Sequence, residues 1–163
     1  LVSFMVEDIS IPIVLAGMAL SAASIGGMCG RLFWGIFADW IHSPRLTLSL
    51  LGFLMAAMLV SVGFFSPQTV TILLLAVCFC LGGSAIGWNG VYLAHVARIA
   101  PEGKAGVATG GTLFFTFAGA IFLPLIFGVI HNTFGQYFES FYATAALCAL
   151  IALWLLISKT PEN

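Results

Sequence analysis

Three charged side chains lie close together in the stretch Gly30 to Leu46, although only 7% of the 163 residues are charged. They are Arg31, Asp39 and Arg45, and the run from Ile9 to Gly30 before them carries no charge. A charge inside an apolar segment is costly unless it faces a polar cavity or pairs with an opposite charge. The chemistry that this stretch offers is therefore anion binding and charge pairing inside an apolar segment.

Of the two charges that lie within the apolar segment, Arg31 and Asp39, Arg31 has the more unusual position. It lies eight residues before Asp39, which is about 12 Å along a helix axis. Because helical Cα–Cβ bonds tilt towards the N-terminus, its side chain points away from the nearer helix end, and extending to that end is awkward. Two interpretations stay open: Arg31 faces a polar cavity or a carboxylate on another helix, or it is a structural arginine that reaches the interface.

The elements that must position these residues are long apolar helices. Hydrophobic residues make up 61% of the chain, and its mean hydropathy is +1.15. A bilayer core needs roughly 20 apolar residues of helix, and the charge-free runs are long enough for five such spans. The net charge of −1 gives no case for nucleic-acid binding. We predict an all-α integral membrane protein with spans at about 11–38, 46–65, 69–98, 105–131 and 137–158.

The positive charges predict the topology of these spans. Numbering the connections in order puts every lysine and arginine on one side of the membrane, and the positive-inside rule makes that side cytoplasmic. We therefore expect a bacterial inner-membrane protein whose C-terminus is cytoplasmic. Because the chain starts at Leu1 and "LVSFMV" is typical of the last turns of a helix, we interpret it as a fragment. The positive residues are Arg31, Arg45, Arg98, Lys104 and Lys159.

The stretch "GRLFWGIFADWIHSPR" resembles the signature of the major facilitator superfamily, which lies between the second and third helices of each six-helix half. Gly35 and Asp39 match its glycine and aspartate. Trp40 stands where the family usually has arginine, and the later basic cluster is reduced to Arg45. "GWNGVYLAHVARIAPEGKAGVATG" is similar to the tenth helix running into the eleventh, and "GAIFLPLIFGVIHNTFGQYFESF" to the eleventh running into the twelfth. The resemblance implies a C-terminal helical bundle, made of helices eight to twelve and the end of helix seven.

The resemblance also implies roles for the signature residues. Gly35, Asp39 and Arg45 would form a gating site, with Asp39 closing against the other half of the transporter, so that its partner lies outside this chain. The alternative for Asp39 is a solvated loop aspartate. The interface residue Arg98 is either a membrane anchor or part of a cytoplasmic gate.

In the family, the tenth helix lines the central cavity. Trp88, Asn89 and Tyr92 lie on that helix, largely on one face, and are candidate substrate contacts together with Arg31. An asparagine inside a membrane costs free energy unless it is paired. The alternative role of Asn89 is to form a hydrogen bond with a neighbouring helix.

Proline and small residues predict how the helices bend and pack. Pro124 frees a carbonyl near Gly119 and predicts either a hinge or a static kink. We expect the first and third spans to be the longest. The hydroxyls of Thr109, Thr112 and Thr116 are expected to bond back to their own helix. Small residues that let helices approach closely recur every fourth position, at Ala22, Gly26 and Gly30, at Gly83 and Gly87, and at Gly106 and Gly110.

These patterns favour a secondary transporter of a small solute, not an enzyme, that works by alternating access. Arg31 suggests an organic anion as the solute. The expected partners are the substrate, the lipid bilayer and the missing N-terminal half. No cofactor or metal site is indicated, because the cysteines lie inside spans with no ligand spacing. The alternative is a five-span structural protein that oligomerises through its small residues.

Overall fold

Five long helices follow one another along the chain, after a short π-helical turn at Phe4–Asp8. The computed structural model describes residues 1–134 and 137–158, and Lys159 of the predicted charge pattern lies outside them. All five helices are long and apolar enough to cross a membrane, which confirms the predicted fold class. They are α1 (Ile13–Ile41), α2 (Pro44–Gly63), α3 (Thr71–Ile99), α4 (Ala105–Phe134) and α5 (Tyr137–Ile157).

The turn between α1 and α2 is fixed by local chemistry. His42 adopts a left-handed conformation with φ of 55°, which ends α1. The Ser43 hydroxyl then accepts a hydrogen bond from the Leu46 backbone N–H at 3.4 Å, and Pro44 takes the first helical position. The turn therefore places Asp39 and Arg45 at the junction of two helices, while Arg31 lies further back, within α1.

The expectation that the first and third spans are the longest is wrong. The longest helix is α4, with 30 residues, whereas α1 and α3 have 29 each. The predicted fourth span ended at residue 131, but no proline or glycine interrupts residues 129–134, so the backbone stays helical to Phe134. The helix also continues through Pro124.

Helices α1 and α3 pack backbone against backbone. A Cβ atom built on Gly26 would lie 2.0 Å from the Phe79 carbonyl oxygen. A Cβ atom on Gly82 would lie 1.8 Å from the Ala23 carbonyl oxygen. Real Cβ contacts are never so short, so only glycine allows this approach. In a membrane such close approach stabilises helix pairs through van der Waals contact.

This crossing confirms part of the predicted small-residue pattern. Gly30 of α1 faces the Gly83 carbonyl oxygen, where a Cβ atom would lie at 2.3 Å. Gly87 is covered by the Trp34 ring, with 2.7 Å between a built Cβ atom and Cδ1. The two predicted glycine pairs on α1 and α3 therefore pack against each other.

Two of the other predicted small residues, Gly106 and Gly110, make no close helix contact within the described residues. Ala22 is half-buried and lines an apolar cleft between α1 and Leu75 of α3. A Cβ atom on Gly106 or Gly110 would have no neighbour within 4 Å. These two belong to α4, whose membrane-spanning window is 0% buried within the described residues. The prediction of close approach at Gly106 and Gly110 is therefore wrong for the contacts within the described residues.

Helices α2 and α5 form a second close pair that the sequence did not indicate. The buried Ser49 hydroxyl donates a hydrogen bond to the Ala152 carbonyl oxygen at 2.7 Å. A Cβ atom on Gly52 would lie 2.8 Å from Cβ of Ala152. A polar bond and a small-residue contact therefore hold the two outer helices together.

The N-terminal turn is packed into the bundle. Phe4 and Met5 are fully buried. The Phe4 ring meets the rings of Phe138 and Phe141 edge to face, with centroids 5.5 and 4.9 Å apart. This contact holds the start of α5 at the end of the bundle where α1 begins. The helical turn agrees with the interpretation of "LVSFMV" as helical.

Candidate functional site

A cleft of about 380 Å³ opens where α1, α3 and α4 meet. Ligand pockets in proteins commonly measure about 300 to 1,000 Å³, so the cleft has room for a small molecule. Leucine, phenylalanine and glycine form most of its wall. It is lined by Arg31, Asn89, Gly90, Leu93, Leu113, Thr116 and Phe117.

Two of the predicted site residues, Arg31 and Asn89, therefore lie along the same cleft. Within residues 1–134 and 137–158, neither side chain has a hydrogen bond or an ion pair with the protein. A guanidinium carries five donors, and a carboxamide has two donors and an acceptor. The cleft thus has an apolar wall and two polar groups with bonding capacity to spare. Their role as substrate contacts stays a prediction.

The α1–α3 crossing fixes these two residues relative to each other. Arg31 follows directly after Gly30, and Asn89 comes two residues after Gly87. One turn beyond the tightest contacts, a Cβ atom on Gly90 would lie 3.6 Å from the Arg31 carbonyl oxygen. Because the two helix backbones are in direct contact, the crossing sets the distance between the two polar groups in this structure.

Trp88 and Tyr92, the other predicted cavity residues, do not line the cleft. Trp88 donates its indole N–H to the Ala85 carbonyl oxygen at 3.0 Å. The two rings pack on each other with centroids 5.6 Å apart. Successive helical residues point about 100° apart, so Trp88 and Asn89 face different directions. The structure separates these aromatic residues from the Arg31–Asn89 cleft.

The threonines of α4 behave as predicted. Thr109 donates to the Ala105 carbonyl oxygen at 2.9 Å, Thr112 to that of Thr109 at 2.9 Å, and Thr116 to that of Thr112 at 3.1 Å. All three therefore bond back to their own helix. Thr116 also lines the cleft, where its oxygen retains a lone pair that can accept a hydrogen bond.

Asp39 contacts a cation within the chain, while its closure against the other half of the transporter stays a prediction. Asp39 Oδ1 and Arg98 Nη2 are 3.5 Å apart, and the side chains are 76% and 67% exposed. This pair joins the last turns of α1 and α3, where a cation at the helix C-terminus also offsets the unfavourable dipole for the carboxylate. No local sequence pattern signals this pair, because the two residues are 59 positions apart. Gly35, the other matched signature residue, has open space beside it.

We predict that the Asp39–Arg98 pair contributes little to stability. Because both side chains are mostly exposed, solvent screens their attraction, and the coupling energy in a double-mutant cycle should be below about 1 kcal/mol. Asp39→Asn, Arg98→Gln and the double variant of the full-length protein can be compared by thermal unfolding in detergent. A coupling above about 2 kcal/mol would show that the pair is shielded from water in the complete protein.

Arg45, the third residue of the predicted gating site, binds the end of another helix. Its Nε donates to the Leu155 carbonyl oxygen, and its Nη2 donates to that of Leu156 at 2.8 Å. The last carbonyls of a helix lack intrahelical partners, and a cation there is favoured by the helix dipole. Arg45 therefore joins the start of α2 to the end of α5, while its part in gating stays a prediction. We call the end of the bundle that carries Asp39, Arg45, Arg98 and Lys104 the basic end.

The predicted hinge lies in the least covered helix. A Cβ atom on Gly119 would meet only the side chain of Leu123, at 4.0 Å. Pro124 has no N–H and removes one hydrogen bond from the helix. The surroundings leave space for bending here, and the hinge stays a prediction.

The cysteines and acidic residues do not gather into a metal site. Across the two described ranges, no three His, Cys, Asp or Glu side chains lie close enough to hold a metal ion. The four cysteines are free thiols.

Comparison with known proteins gives a family match over the whole chain. The family model described as Major Facilitator Superfamily matches residues 1–163. The chain is 23% identical over 158 residues to "Probable galactarate/D-glucarate transporter GarP" of Escherichia coli strain K12, which covers 91% of this chain and 34% of the relative. It is 24% identical over 164 residues to "Probable galactarate/D-glucarate transporter GudP" of the same strain, covering 94% and 35%. The chain thus spans about a third of the length of these relatives. No solved structure matches it.

Proposed function

Because the chain belongs to the major facilitator superfamily, we propose that it forms part of the C-terminal half of a secondary transporter for a small organic anion. The observation that carries the proposal is that Arg31 and Asn89 line the same apolar cleft. In an apolar environment, polar groups without partners cost free energy, and a bound ligand with complementary groups removes that cost. The ligand that fits has an anionic group for the guanidinium and a hydroxyl or carbonyl for the amide.

Sugar acids meet this requirement. Galactarate and D-glucarate, which the names of the two relatives mention, are six-carbon dicarboxylates with a hydroxyl on each inner carbon. Arg31 can bind one carboxylate through two parallel N–H···O bonds. The Asn89 amide can both donate to and accept from the hydroxyls. Since the described cleft has one cation, the second carboxylate is left for a group elsewhere in the full-length protein.

Alternating access requires a part that stays rigid and a part that moves. The α1–α3 pair serves as the rigid part, since its glycine crossing holds Arg31 and Asn89 together. Helix α4 closes the third side of the cleft and is bare within this chain, so it is the helix that the missing half would cover. A bend at Gly119 and Pro124 would open or close the cleft.

The basic end is assigned to the cytoplasm by the positive-inside rule, within the inner membrane of a bacterium. Asp39 and Arg98 lie at that end, 3.5 Å apart. Exchange of this exposed pair for contacts with the other half would favour closure of the cytoplasmic side. Gly35 offers a bare helix surface for that approach.

The alternative of a five-span oligomerising protein loses part of its support, since only the Gly106 and Gly110 pair of α4 stays open to a second chain. It depended on small residues free to contact a second chain. Gly26, Gly30, Gly83 and Gly87 instead pack within the chain, in the α1–α3 crossing.

The proposal is tested by uptake of labelled galactarate into membrane vesicles that contain the full-length protein. We expect unlabelled galactarate and D-glucarate to compete with the labelled substrate. Galactitol, the uncharged six-carbon polyol, should not compete, because it has no carboxylate for Arg31. Equal competition by galactitol would rule out anion recognition. Absence of galactarate uptake would rule out this substrate class.

A further inference from the structure

The glycines of the α1–α3 crossing are of two kinds. At Gly26, Gly30 and Gly82, a Cβ atom would lie within 2.3 Å of a carbonyl oxygen of the facing helix. Packing therefore requires glycine at these positions. Gly90, further along α3, is exposed, and a Cβ atom there would have one neighbour within 4 Å, at the ordinary contact distance of 3.6 Å. Packing does not require glycine at this position.

A glycine that packing does not need is a cost to the helix. Glycine in a helix interior is less favourable than alanine, because it loses more backbone freedom on folding. Gly90 follows directly after Asn89 and lines the same cleft, and its one close contact would be with the carbonyl of Arg31. The only lateral surface of a helical glycine is its Cα atom, so a methyl group at this position would stand in the cleft.

We propose that Gly90 determines the size of the anion that binds between Arg31 and Asn89. This proposal rests on the proposed transport of an organic anion through the same cleft. Gly90 lines the cleft beside the two polar groups. In this proposal, a ligand long enough to extend from the guanidinium past the amide lies against Gly90. A shorter anion can bind Arg31 without reaching it.

A methyl group at position 90 should therefore weaken the binding of long substrates more than the binding of short ones. A pocket that differs by one methyl or methylene group discriminates between ligands by about 10-fold or more. Because the new Cβ atom fits the protein at 3.6 Å, the fold should tolerate it. A purely structural defect would instead weaken the binding of all substrates in parallel.

The experiment compares the full-length wild-type protein with Gly90→Ala by competition against uptake of labelled galactarate. The competitors are unlabelled galactarate, with six carbons, and tartrate, a four-carbon dicarboxylate with a hydroxyl on each inner carbon. We expect the ratio of their half-inhibitory concentrations to shift about 10-fold in favour of tartrate. We expect no decrease in melting temperature. Gly17→Ala, a change on α1 with open space beside it and away from this cleft, should leave the ratio unchanged.

An unchanged ratio in Gly90→Ala, tartrate inhibition in neither protein, or a parallel loss for both competitors would overturn the role of Gly90. These results are distinct from failure of the proposed function, in which the wild-type protein itself takes up no galactarate. In that case both proposals fall together.

Discussion

Replacing Arg31 with glutamine is expected to lower galactarate uptake by about 100-fold at low substrate concentration. A hydrogen bond to a charged group contributes about 1.5 kcal/mol at the lower end of its range. Two such bonds from the guanidinium to one carboxylate amount to about 3 kcal/mol, and each 1.4 kcal/mol is a factor of ten. Glutamine is uncharged and cannot form the bidentate contact. Within the described residues, Arg31 has no hydrogen bond or ion pair with the protein. The substitution should therefore leave the stability of the fold unchanged.

Two further variants separate the geometry of Arg31 from its charge. Arg31→Lys keeps the charge but loses the planar pair of donors, so we expect a decrease of about 10-fold. Lys104→Gln removes a positive charge from an exposed loop residue outside the cleft and should leave uptake unchanged. The measurement is the initial rate of labelled galactarate uptake, normalised to the amount of protein in the membrane. Equal losses in Arg31→Gln and Lys104→Gln would mean that overall charge, and not the cleft, attracts the substrate.

The parts of this site that the sequence predicts are those that depend on position along a helix. Long runs without charge locate the five helices, because the bilayer sets their length. Arg31 stands out because a charge within such a run requires a polar surrounding. Asn89 stands out for the same reason. The structure places both residues along one cleft.

The sequence does not predict the parts of the site that depend on the rotational orientation of each helix about its own axis. Helices that are apolar on all sides carry no stripe that distinguishes a packed face from a lipid face. Trp88 and Tyr92 do not line the Arg31–Asn89 cleft, and their contact with a substrate stays a prediction. The bonds from Arg45 to the end of α5 join residues 110 and 111 positions apart. No local pattern signals such a contact.

Gly82→Ala should have the largest effect on stability among the changes considered. The added Cβ atom would lie 1.8 Å from the carbonyl oxygen of Ala23, 2.5 Å from its carbonyl carbon and 2.7 Å from its Cα atom. All three are backbone atoms, so the contact is relieved only by separating α1 from α3. Overpacking in a tight core costs about 1 to 3 kcal/mol, and we expect Gly82→Ala to reach at least about 3 kcal/mol. The melting temperature of the purified full-length protein, together with its yield from the membrane, measures this effect.

The neighbouring glycines turn this prediction into a graded test. A Cβ atom would lie 3.3 Å from a carbonyl oxygen at Gly83 and 3.6 Å at Gly90. Gly83→Ala should therefore cost much less than Gly82→Ala, although the two sites are adjacent on one helix. Gly90→Ala should cost nothing or stabilise the helix. A loss of stability that follows this order would show that α1 and α3 touch through their backbones. Equal losses at all three positions would mean that the helices lie further apart, and the separation of Arg31 from Asn89 would then no longer be fixed by the crossing.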